Sequence, residues 1–188
     1  MQEMVKPAYG LAELQRDFQA GRKLKYLYFW GHQPAADGRI TASCLSQWWM
    51  ADFSVDGLTF CCMEQYMMAS KAQLFSDRTV LTQIMRSKEP KQMKALGRKV
   101  SYFDSTVWDA YKYGIVLQGN LYKFTQNPNL KAFLLSTDDK VLAEASPYDA
   151  IWGIKMTMRQ AERSNPLAWK GENLLGFALM EVRSKLKK

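Results

Sequence analysis

The chain has 188 residues, of which 47% are hydrophobic, 13% aromatic and 23% charged, and its formal net charge is +8. This length and composition predict one folded domain with a sizeable core, and they exclude a chain that is largely disordered. The positive charge favours anionic partners such as phosphates, nucleotides or nucleic acid, although the basic residues are spread along the chain.

No apolar run approaches the roughly 18 residues that a membrane span requires, and the first residues lack the apolar core of a secretory signal. We therefore expect a cytoplasmic protein. The cysteines, Cys44, Cys61 and Cys62, form no C-x-x-C pair, which predicts reduced thiols and no zinc site. The sequence contains no P-loop and no G-x-G-x-x-G, and we expect neither a metal nor another cofactor.

Residues 1–23 are predicted to form an N-terminal extension with one short helix, Leu11 to Phe18, that stops at Gly21. The alternation from Lys25 to Trp30 then predicts a strand. Gly31 ends this strand and His32, the only histidine, follows it. A single histidine at a strand end is more often structural than catalytic, but the glycine beside it allows a ligand to approach closely.

A predicted turn at Val55-Asp56-Gly57 and a strand from Leu58 to Cys62 lead into a helix from Met63 to Phe75. On a helical wheel, Glu64 and Lys71 lie on one line within an apolar stripe. The opposite face, which we expect to face solvent, carries Gln65, Ser70 and Gln73.

The two charges of this helix are therefore predicted to point inward. A buried charge is costly unless it has a partner, and the two turns between Glu64 and Lys71, about 10 Å of rise, are too long for an easy ion pair. An acid and an amine that line one groove would suit a small-molecule site with acid–base or nucleophilic chemistry. Two structural charges with separate partners would show the same pattern, so the periodicity leaves both interpretations open.

Two helices are predicted next. The first runs from about Arg78 to Arg86 behind a cap at Ser76-Asp77. The second is opened by Ser87-x-x-Pro90 and stops at Gly97, which we expect in the left-handed C-terminal conformation. Arg98 and Lys99 follow directly. They are either a solvated helix end or a binding site for phosphate.

A long helix from Thr106 to Phe124 is predicted behind a cap at Asp104 or Ser105. Trp108 and Lys112 lie near one line on its mainly apolar face. Trp108 is either a core residue or a surface for stacking.

The remaining chain is predicted to contain a helix at Lys131 to Ser136, a strand at Lys140 to Ala145 that carries Glu144, and further helices. Ser146-Pro147-Tyr148-Asp149 has the pattern of a helix N-terminus, in which Asp149 would be a cap. Gly171 to Asn173 is predicted to start the last helix.

Several ordered motifs carry a resemblance to a known family. They are Val55-Asp56-Gly57, Glu64 with Tyr66 and Lys71-Ala72, Gly97-Arg98-Lys99-Val100, Trp108 with Lys112, Lys123-Phe124, Gln126-Asn127-Pro128, Asp149-x-x-Trp152-Gly153, Gly171-x-Asn173-x-Leu175-Gly176 and Leu179-Met180-Glu181-x-Arg183. The chain resembles the NADAR family, which includes the YbiA-type N-glycosidases. The likeness spans about Phe29 to Leu186.

This resemblance implies a mainly α fold with a small β component, an α+β fold, in a single YbiA-like domain over residues 24–188. It also implies a hydrolase that cleaves N-glycosidic bonds. The expected substrate is a phosphorylated ribosylated heterocycle, such as the ribosylamino-pyrimidine intermediates of the riboflavin pathway. The alternatives are removal of ADP-ribose from guanine in nucleic acid, and a non-catalytic module that binds ADP-ribose or a nucleotide.

Carried onto this sequence, the resemblance implies a site with Glu64, Asp149 and Lys71 as candidate catalytic groups. The candidate substrate-binding residues are Trp108, Trp152, Gly31, His32, Arg98, Lys112, Glu144 and Asn173. The chain departs from the family at Gln47-Trp48-Trp49, where Asn-Phe-Tyr is common, at Gln65, where a histidine is common, and at Ile154-Lys155. These departures bear on substrate choice more than on reaction type.

Cleavage of a ribosyl C–N bond develops positive charge at the anomeric carbon, so a carboxylate beneath that carbon stabilises the transition state. Glu64 is the candidate for this role, and Asp149, with Glu144 behind it, is the candidate for moving a proton. Alternatively, the ribose ring opens to an aldehyde and a deprotonated Lys71 attacks it to form a Schiff base. Burial would favour this route by lowering the pKa of Lys71.

Overall fold

The structure is a computed structural model that describes residues 5–187. Its helices are α1 (Leu11–Gln19), α2 (Met63–Leu74), α3 (Arg78–Arg86), α4 (Pro90–Gly97), α5 (Ser105–Gln126), α6 (Pro128–Ser136), α7 (Met158–Glu162) and α8 (Leu174–Leu186), with short 3-10 turns at Ala42–Leu45 and Pro166–Ala168. Its strands are β1 (Tyr26–Phe29), β2 (Phe53–Val55), β3 (Leu58–Phe60) and β4 (Val141–Glu144). The predicted mainly α fold with a small β component is confirmed.

The chain forms two units. The central unit is the middle of the sequence, Gln47–Asn127, and the terminal unit combines Pro7–Ser46 with residues 128–187. The predicted boundary between an N-terminal extension, residues 1–23, and the domain of residues 24–188 does not correspond to the division between these units, and it stays a prediction. Residues 1–4 and 188 lie outside the described residues.

The central unit begins with the hairpin of β2 and β3, in which Phe53 pairs with Phe60 and Val55 with Leu58. Asp56 and Gly57 form the two-residue turn with φ of 50° and 79°. Two left-handed residues in succession match the right-handed twist of the strands, which explains why the Asp-Gly pair is found here. The predicted turn is confirmed.

Helix α2 packs against α3, α4 and α5, and it is buried on nearly all sides. The expectation that Gln65 and Ser70 face solvent is therefore wrong. Gln65 accepts a hydrogen bond from the Cys61 backbone N–H and donates to the carbonyls at the end of α3, including that of Ser87 at 3.2 Å. A polar residue is found at this buried position because its amide binds backbone groups before α2 and at the end of α3, and a buried amide requires such partners.

Gly97 was expected in a left-handed conformation after α4, and this expectation is also wrong. Gly97 is the last residue of α4, and the cap residue Arg98 stays right-handed with φ of −77°. A Cβ at position 97 would overlap the Sδ of Met68 on α2. The glycine is therefore needed for close packing of α4 on α2, and its backbone conformation is one that other residues also adopt.

The terminal unit contains the parallel pair β1 and β4, with Tyr26 opposite Val141 and Phe29 opposite Glu144. Helix α8 packs on β4. The buried cluster between these elements and α1 comprises Leu14, Val141, Ala143, Ala145, Ile154, Met156, Ala161, Trp169 and Phe177. Because the strands are parallel, the chain leaves both of them at the same edge of the sheet.

The helix predicted to start at Ser146-Pro147-Tyr148-Asp149 is absent from the described structure, where residues 145–157 form an irregular segment. Asp149 Oδ1 accepts hydrogen bonds from the backbone N–H groups of Ile151 and Trp152, at 2.9 and 2.8 Å. This side chain caps a turn in place of a helix, since aspartate satisfies both motifs through the same local bonds.

The described residues contain no helix that is both long enough and apolar enough to cross a membrane.

Candidate functional site

Glu64 lies in the first turn of α2, and only 2% of it is exposed. Its backbone N–H donates to the Gln47 carbonyl at 2.9 Å, and its Oε2 accepts a hydrogen bond from Trp48 Nε1 at 3.1 Å. The segment before β2 thus fixes the position of this acid.

Lys71 lies in the last turn of the same helix. Its Nζ donates to the Gly97 carbonyl at 2.9 Å and lies 4.0 Å from the centre of the Phe103 ring and 5.5 Å from that of Trp108. The carbonyl and the rings stabilise the ammonium, but removal from water opposes them. Burial is the larger effect and lowers the pKa of Lys71 below its usual 10.5. More of this lysine is therefore the neutral amine at a given pH than in an exposed side chain.

Trp108 and Lys112 are one turn apart on α5, behind the cap that Asp104 provides. Trp108 is partly exposed, and its ring faces the Lys71 amine as described. Lys112 Nζ binds Asp109 Oδ1 at 2.7 Å, and the carboxylate of that pair is largely exposed. The structure therefore brings Trp108 to Lys71, whereas it gives Lys112 a partner of its own.

Arg98 and Lys99 are exposed at the end of α4. They directly follow Gly97, whose carbonyl binds the Lys71 amine. Two exposed cations are therefore adjacent in the chain to the backbone that positions Lys71, where they could bind a phosphate.

The terminal unit collects the other candidates at the edge where β1 and β4 end. Gly31, with φ of 84°, and His32 follow β1, and Glu144 is the last residue of β4. Asn173 is fully buried, accepts a hydrogen bond from the Glu144 backbone N–H at 3.0 Å and donates to the Leu142 carbonyl at 2.9 Å. Both ends of the Asn173 amide thus join the start of α8 to β4.

Asp149 and Trp152 lie in the irregular segment after β4. One carboxylate oxygen of Asp149 holds the turn at residues 151 and 152, and Trp152 is only 8% exposed. The Trp152 carbonyl accepts a hydrogen bond from the backbone N–H of Leu175 in α8. These contacts give both residues a structural role within the terminal unit, and their predicted roles in catalysis and stacking stay predictions.

Residues 28–187 match the model of the NADAR domain. The chain belongs to the NADAR family. Every candidate site residue, from Gly31 to Asn173, lies within the matched range. The family predicted from the sequence motifs is confirmed.

Two N-glycosidases are among the relatives of this NADAR chain. It is 42% identical over 166 residues to N-glycosidase R617 of Acanthamoeba polyphaga mimivirus, an alignment that covers 86% of this chain and 96% of the relative. It is 32% identical over 132 residues to N-glycosidase YbiA of Escherichia coli, covering 70% and 74% of the two chains. The NMR structure of the E. coli YbiA protein superposes with a TM-score of 0.69 and 27% identity, over 87% of this chain and 85% of that one.

A third relative is the chloroplastic riboflavin biosynthesis protein PYRR of Zea mays, 31% identical over 144 residues. The alignment covers 73% of this chain but only 21% of that protein. Together, these comparisons confirm the YbiA-like fold and the predicted enzyme class, a hydrolase of the N-glycosidase type.

Two neighbours of the NADAR candidate residues were not predicted from the sequence. Trp48 was noted only as a departure from the family pattern, yet its indole N–H binds Glu64. Phe103, which contacts Lys71, lies in a loop without periodicity, so no sequence signal pointed to it. Among the described residues, no group of three or more His, Cys, Asp or Glu side chains could hold a metal ion.

Proposed function

We propose that this NADAR chain hydrolyses the N-glycosidic bond of a phosphorylated ribosylated heterocycle, of the ribosylamino-pyrimidine type found among riboflavin-pathway intermediates. The observation that carries the proposal is the Lys71 amine, which lies between the Gly97 carbonyl and the rings of Phe103 and Trp108 and has a lowered pKa. An amine that is neutral more often than usual, beside aromatic rings, suits attack on a sugar that carries a planar base.

Lys71 acts as the nucleophile in this proposal. The neutral Nζ forms a bond to the anomeric carbon while the bond from that carbon to the base breaks, and the base leaves with the electron pair and takes up one of the two protons of the attacking amine. The ribose ring then opens as its oxygen takes up the second of these protons, which leaves a Schiff base between the sugar and Lys71. Water adds to that carbon, the C–N bond to Lys71 breaks, and free ribose phosphate and the amine are released.

Glu64 has an electrostatic role in this scheme. Positive charge develops at the anomeric carbon as the base departs, and a fixed carboxylate stabilises that charge more in the transition state than in the ground state. The hydrogen bond from Trp48 and the position of Glu64 in the first turn of α2 hold the carboxyl group in place before the substrate arrives. In the alternative of direct hydrolysis, water attacks the anomeric carbon in place of Lys71, Glu64 keeps this electrostatic role, and Asp149 is the candidate for moving the proton.

The remaining parts of the substrate match the Trp108 ring near Lys71 and the cations that follow Gly97 in the chain. Trp108 offers a partly exposed ring for a planar base, and Arg98 and Lys99 offer positive charge for a phosphate. The relationship to the maize riboflavin biosynthesis protein supports a substrate of the riboflavin type.

A second candidate function is removal of ADP-ribose from guanine in nucleic acid. The net charge of +8 favours it, because cations near a site attract a polyanionic substrate. If this candidate is correct, the affinity for substrate falls steeply as salt increases.

The test is parallel incubation of the purified protein with a ribosylamino-pyrimidine phosphate, DNA that carries guanine-linked ADP-ribose, and NAD. Mass spectrometry follows release of the base or of ADP-ribose. The proposal predicts release of the free pyrimidine from the first substrate at the highest rate. Release from the ADP-ribosylated DNA alone would favour the second candidate, and turnover of none of them would contradict both.

A further inference from the structure

The loop between α4 and α5 presents two aromatic side chains at the surface. Tyr102 is 91% exposed and Phe103 is 46% exposed. Two adjacent exposed aromatic rings offer apolar surface that a planar ligand would bury favourably. We call residues 101–104 the aromatic loop.

The backbone of the aromatic loop is held firmly at both ends. The Ser101 N–H donates to Asp77 Oδ2 at 2.9 Å, and Val100 before it is buried. At the other end, Asp104 Oδ1 accepts from the backbone N–H groups of Thr106 and Val107 at the start of α5. Exposure of the two rings is therefore a feature of an anchored turn and not of a fraying end.

Tyr102 adopts a conformation that few non-glycine residues adopt. Its φ is 54°, in the left-handed region, which is uncommon for a large aromatic residue. Such a conformation persists only where the surroundings impose it, and it is concentrated at functional sites. Here the anchors at Ser101 and Asp104 impose it, and the result is a phenol ring directed into solvent.

Phe103 connects the aromatic loop to the proposed nucleophile. Lys71 Nζ lies 4.0 Å from its ring centre, and the edge of Phe75 contacts it at a centroid distance of 5.4 Å. The Phe103 ring is thus both partly exposed and next to the amine. A planar base attached to the carbon that Lys71 attacks would lie within reach of this ring.

We infer that the aromatic loop is the base-recognition element, in which Phe103 and Tyr102 stack on the planar heterocycle of the substrate. This inference deepens the proposed function, on which it rests, by assigning the contacts that select a planar base. Aromatic rings stack on any planar base, so the loop distinguishes heterocyclic ribosides from sugars without a base. Arg98 and Lys99, just before the loop, are available to the phosphate.

The test compares two probes by calorimetry, uridine 5′-monophosphate and ribose 5-phosphate, of which the first carries a planar base at the anomeric carbon and the second a hydroxyl group. The parent is expected to bind the nucleotide about tenfold more tightly than the sugar phosphate, as expected for a stacked base. Phe103→Leu, which keeps an apolar side chain but removes the aromatic face, is expected to lose most of that preference while its affinity for ribose 5-phosphate stays within twofold.

Two further variants separate stacking from folding. Phe103→Tyr retains the ring and is expected to bind both probes as the parent does. Tyr102→Ala removes a side chain that is almost fully exposed, so the fold is retained, and it is expected to weaken nucleotide binding several-fold without changing sugar phosphate binding.

Equal affinity of the parent for the two probes, or an unchanged preference in both Phe103→Leu and Tyr102→Ala, would overturn the inference. These outcomes are distinct from failure of the proposed function, because binding does not require turnover. A parent that prefers the nucleotide but releases no base from any substrate would leave the aromatic loop as a recognition element and contradict the hydrolytic proposal alone.

Discussion

The two units of the chain use similar polar residues in different ways. In the central unit, the Lys71 amine contacts one carbonyl and two aromatic rings, and burial lowers its pKa. In the terminal unit, the Asn173 side chain binds the Glu144 N–H and the Leu142 carbonyl, and Asp149 Oδ1 accepts hydrogen bonds within a turn. A reactive group requires an environment that perturbs it, whereas a structural group requires one that satisfies it. From this comparison we propose that Lys71 carries the chemistry, and we expect Asn173 to stabilise the terminal unit. The catalytic role predicted for Asp149 stays a prediction.

The largest expected effect is that of Lys71→Met. Removal of the proposed nucleophile is expected to lower kcat by at least about a thousandfold, at the upper end of what a positioned catalytic group contributes. Circular dichroism and the thermal midpoint are expected to stay close to those of the parent, because methionine fills a partly buried apolar site without a desolvated charge. A variant with more than a tenth of parental kcat would remove Lys71 from the mechanism.

Glu64→Gln is expected to have the next largest effect. Glutamine keeps the size of the side chain and an oxygen that can accept the Trp48 hydrogen bond, but it removes the negative charge. We expect kcat to fall about a hundredfold with a smaller change in KM, the pattern of lost transition-state stabilisation. The control is Trp48→Phe, which keeps the charge of Glu64 and is expected to lower kcat less than Glu64→Gln does. Undiminished release of free base by Glu64→Gln would contradict the electrostatic role.

Asn173→Ala tests the other side of the comparison. It leaves the Glu144 N–H and the Leu142 carbonyl without their side-chain partner in a buried position, so the free energy of unfolding is expected to fall by about 2–4 kcal/mol. Urea denaturation measures this loss. At low temperature, the kcat of the folded variant is expected to remain within about threefold of the parent. A loss of kcat beyond a hundredfold with unchanged stability would instead place Asn173 in the catalytic site.

The pH dependence gives a smaller and graded effect. Only the neutral Lys71 amine attacks, so kcat/KM is expected to rise about tenfold per pH unit until it levels off at a pH below 10.5. The contribution of Lys71 to the free energy of unfolding also increases with pH. Between the lowered folded pKa and the unfolded value, the unfolded chain binds more protons, so Lys71 makes the free energy of unfolding rise with pH in that window. In Lys71→Met, this contribution to the stability profile is expected to vanish.

Local features of the fold were predictable from the sequence, because their causes are local. Asp56-Gly57 forms the hairpin turn, Asp77 caps α3 and Pro90 opens α4 as expected. The prediction that Gln65 faces solvent is wrong because its hydrogen-bond partners include carbonyls at the end of another helix. The prediction that a helix starts at Asp149 is wrong because its side chain caps a turn with the same hydrogen bonds that would cap a helix. The spacing of residues in the sequence does not show whether a polar helix face is buried, or whether an aspartate caps a helix or a turn.

The candidate site was predictable in part for the same reason. The spacing on α2 placed an acid and an amine on one helix face, and the family motifs added Trp108, which the structure brings within 5.5 Å of Lys71. Phe103 lies in a loop that shows no helix or strand periodicity, although it contacts Lys71. Trp48 is 16 residues before Glu64 in the sequence, although its indole binds that carboxyl group. Contacts of this kind depend on how the elements pack, which a single sequence does not specify.

The most direct test of the central claim, that Lys71 is the nucleophile, is reduction of the reacting enzyme with sodium borohydride. The parent is mixed with a ribosylamino-pyrimidine phosphate, treated with borohydride and examined by intact and peptide mass spectrometry. The account predicts a stable adduct of the mass of a reduced ribose phosphate on the peptide that contains Lys71, and none in Lys71→Met. An active parent that yields no adduct, or an adduct on another lysine, would contradict the account.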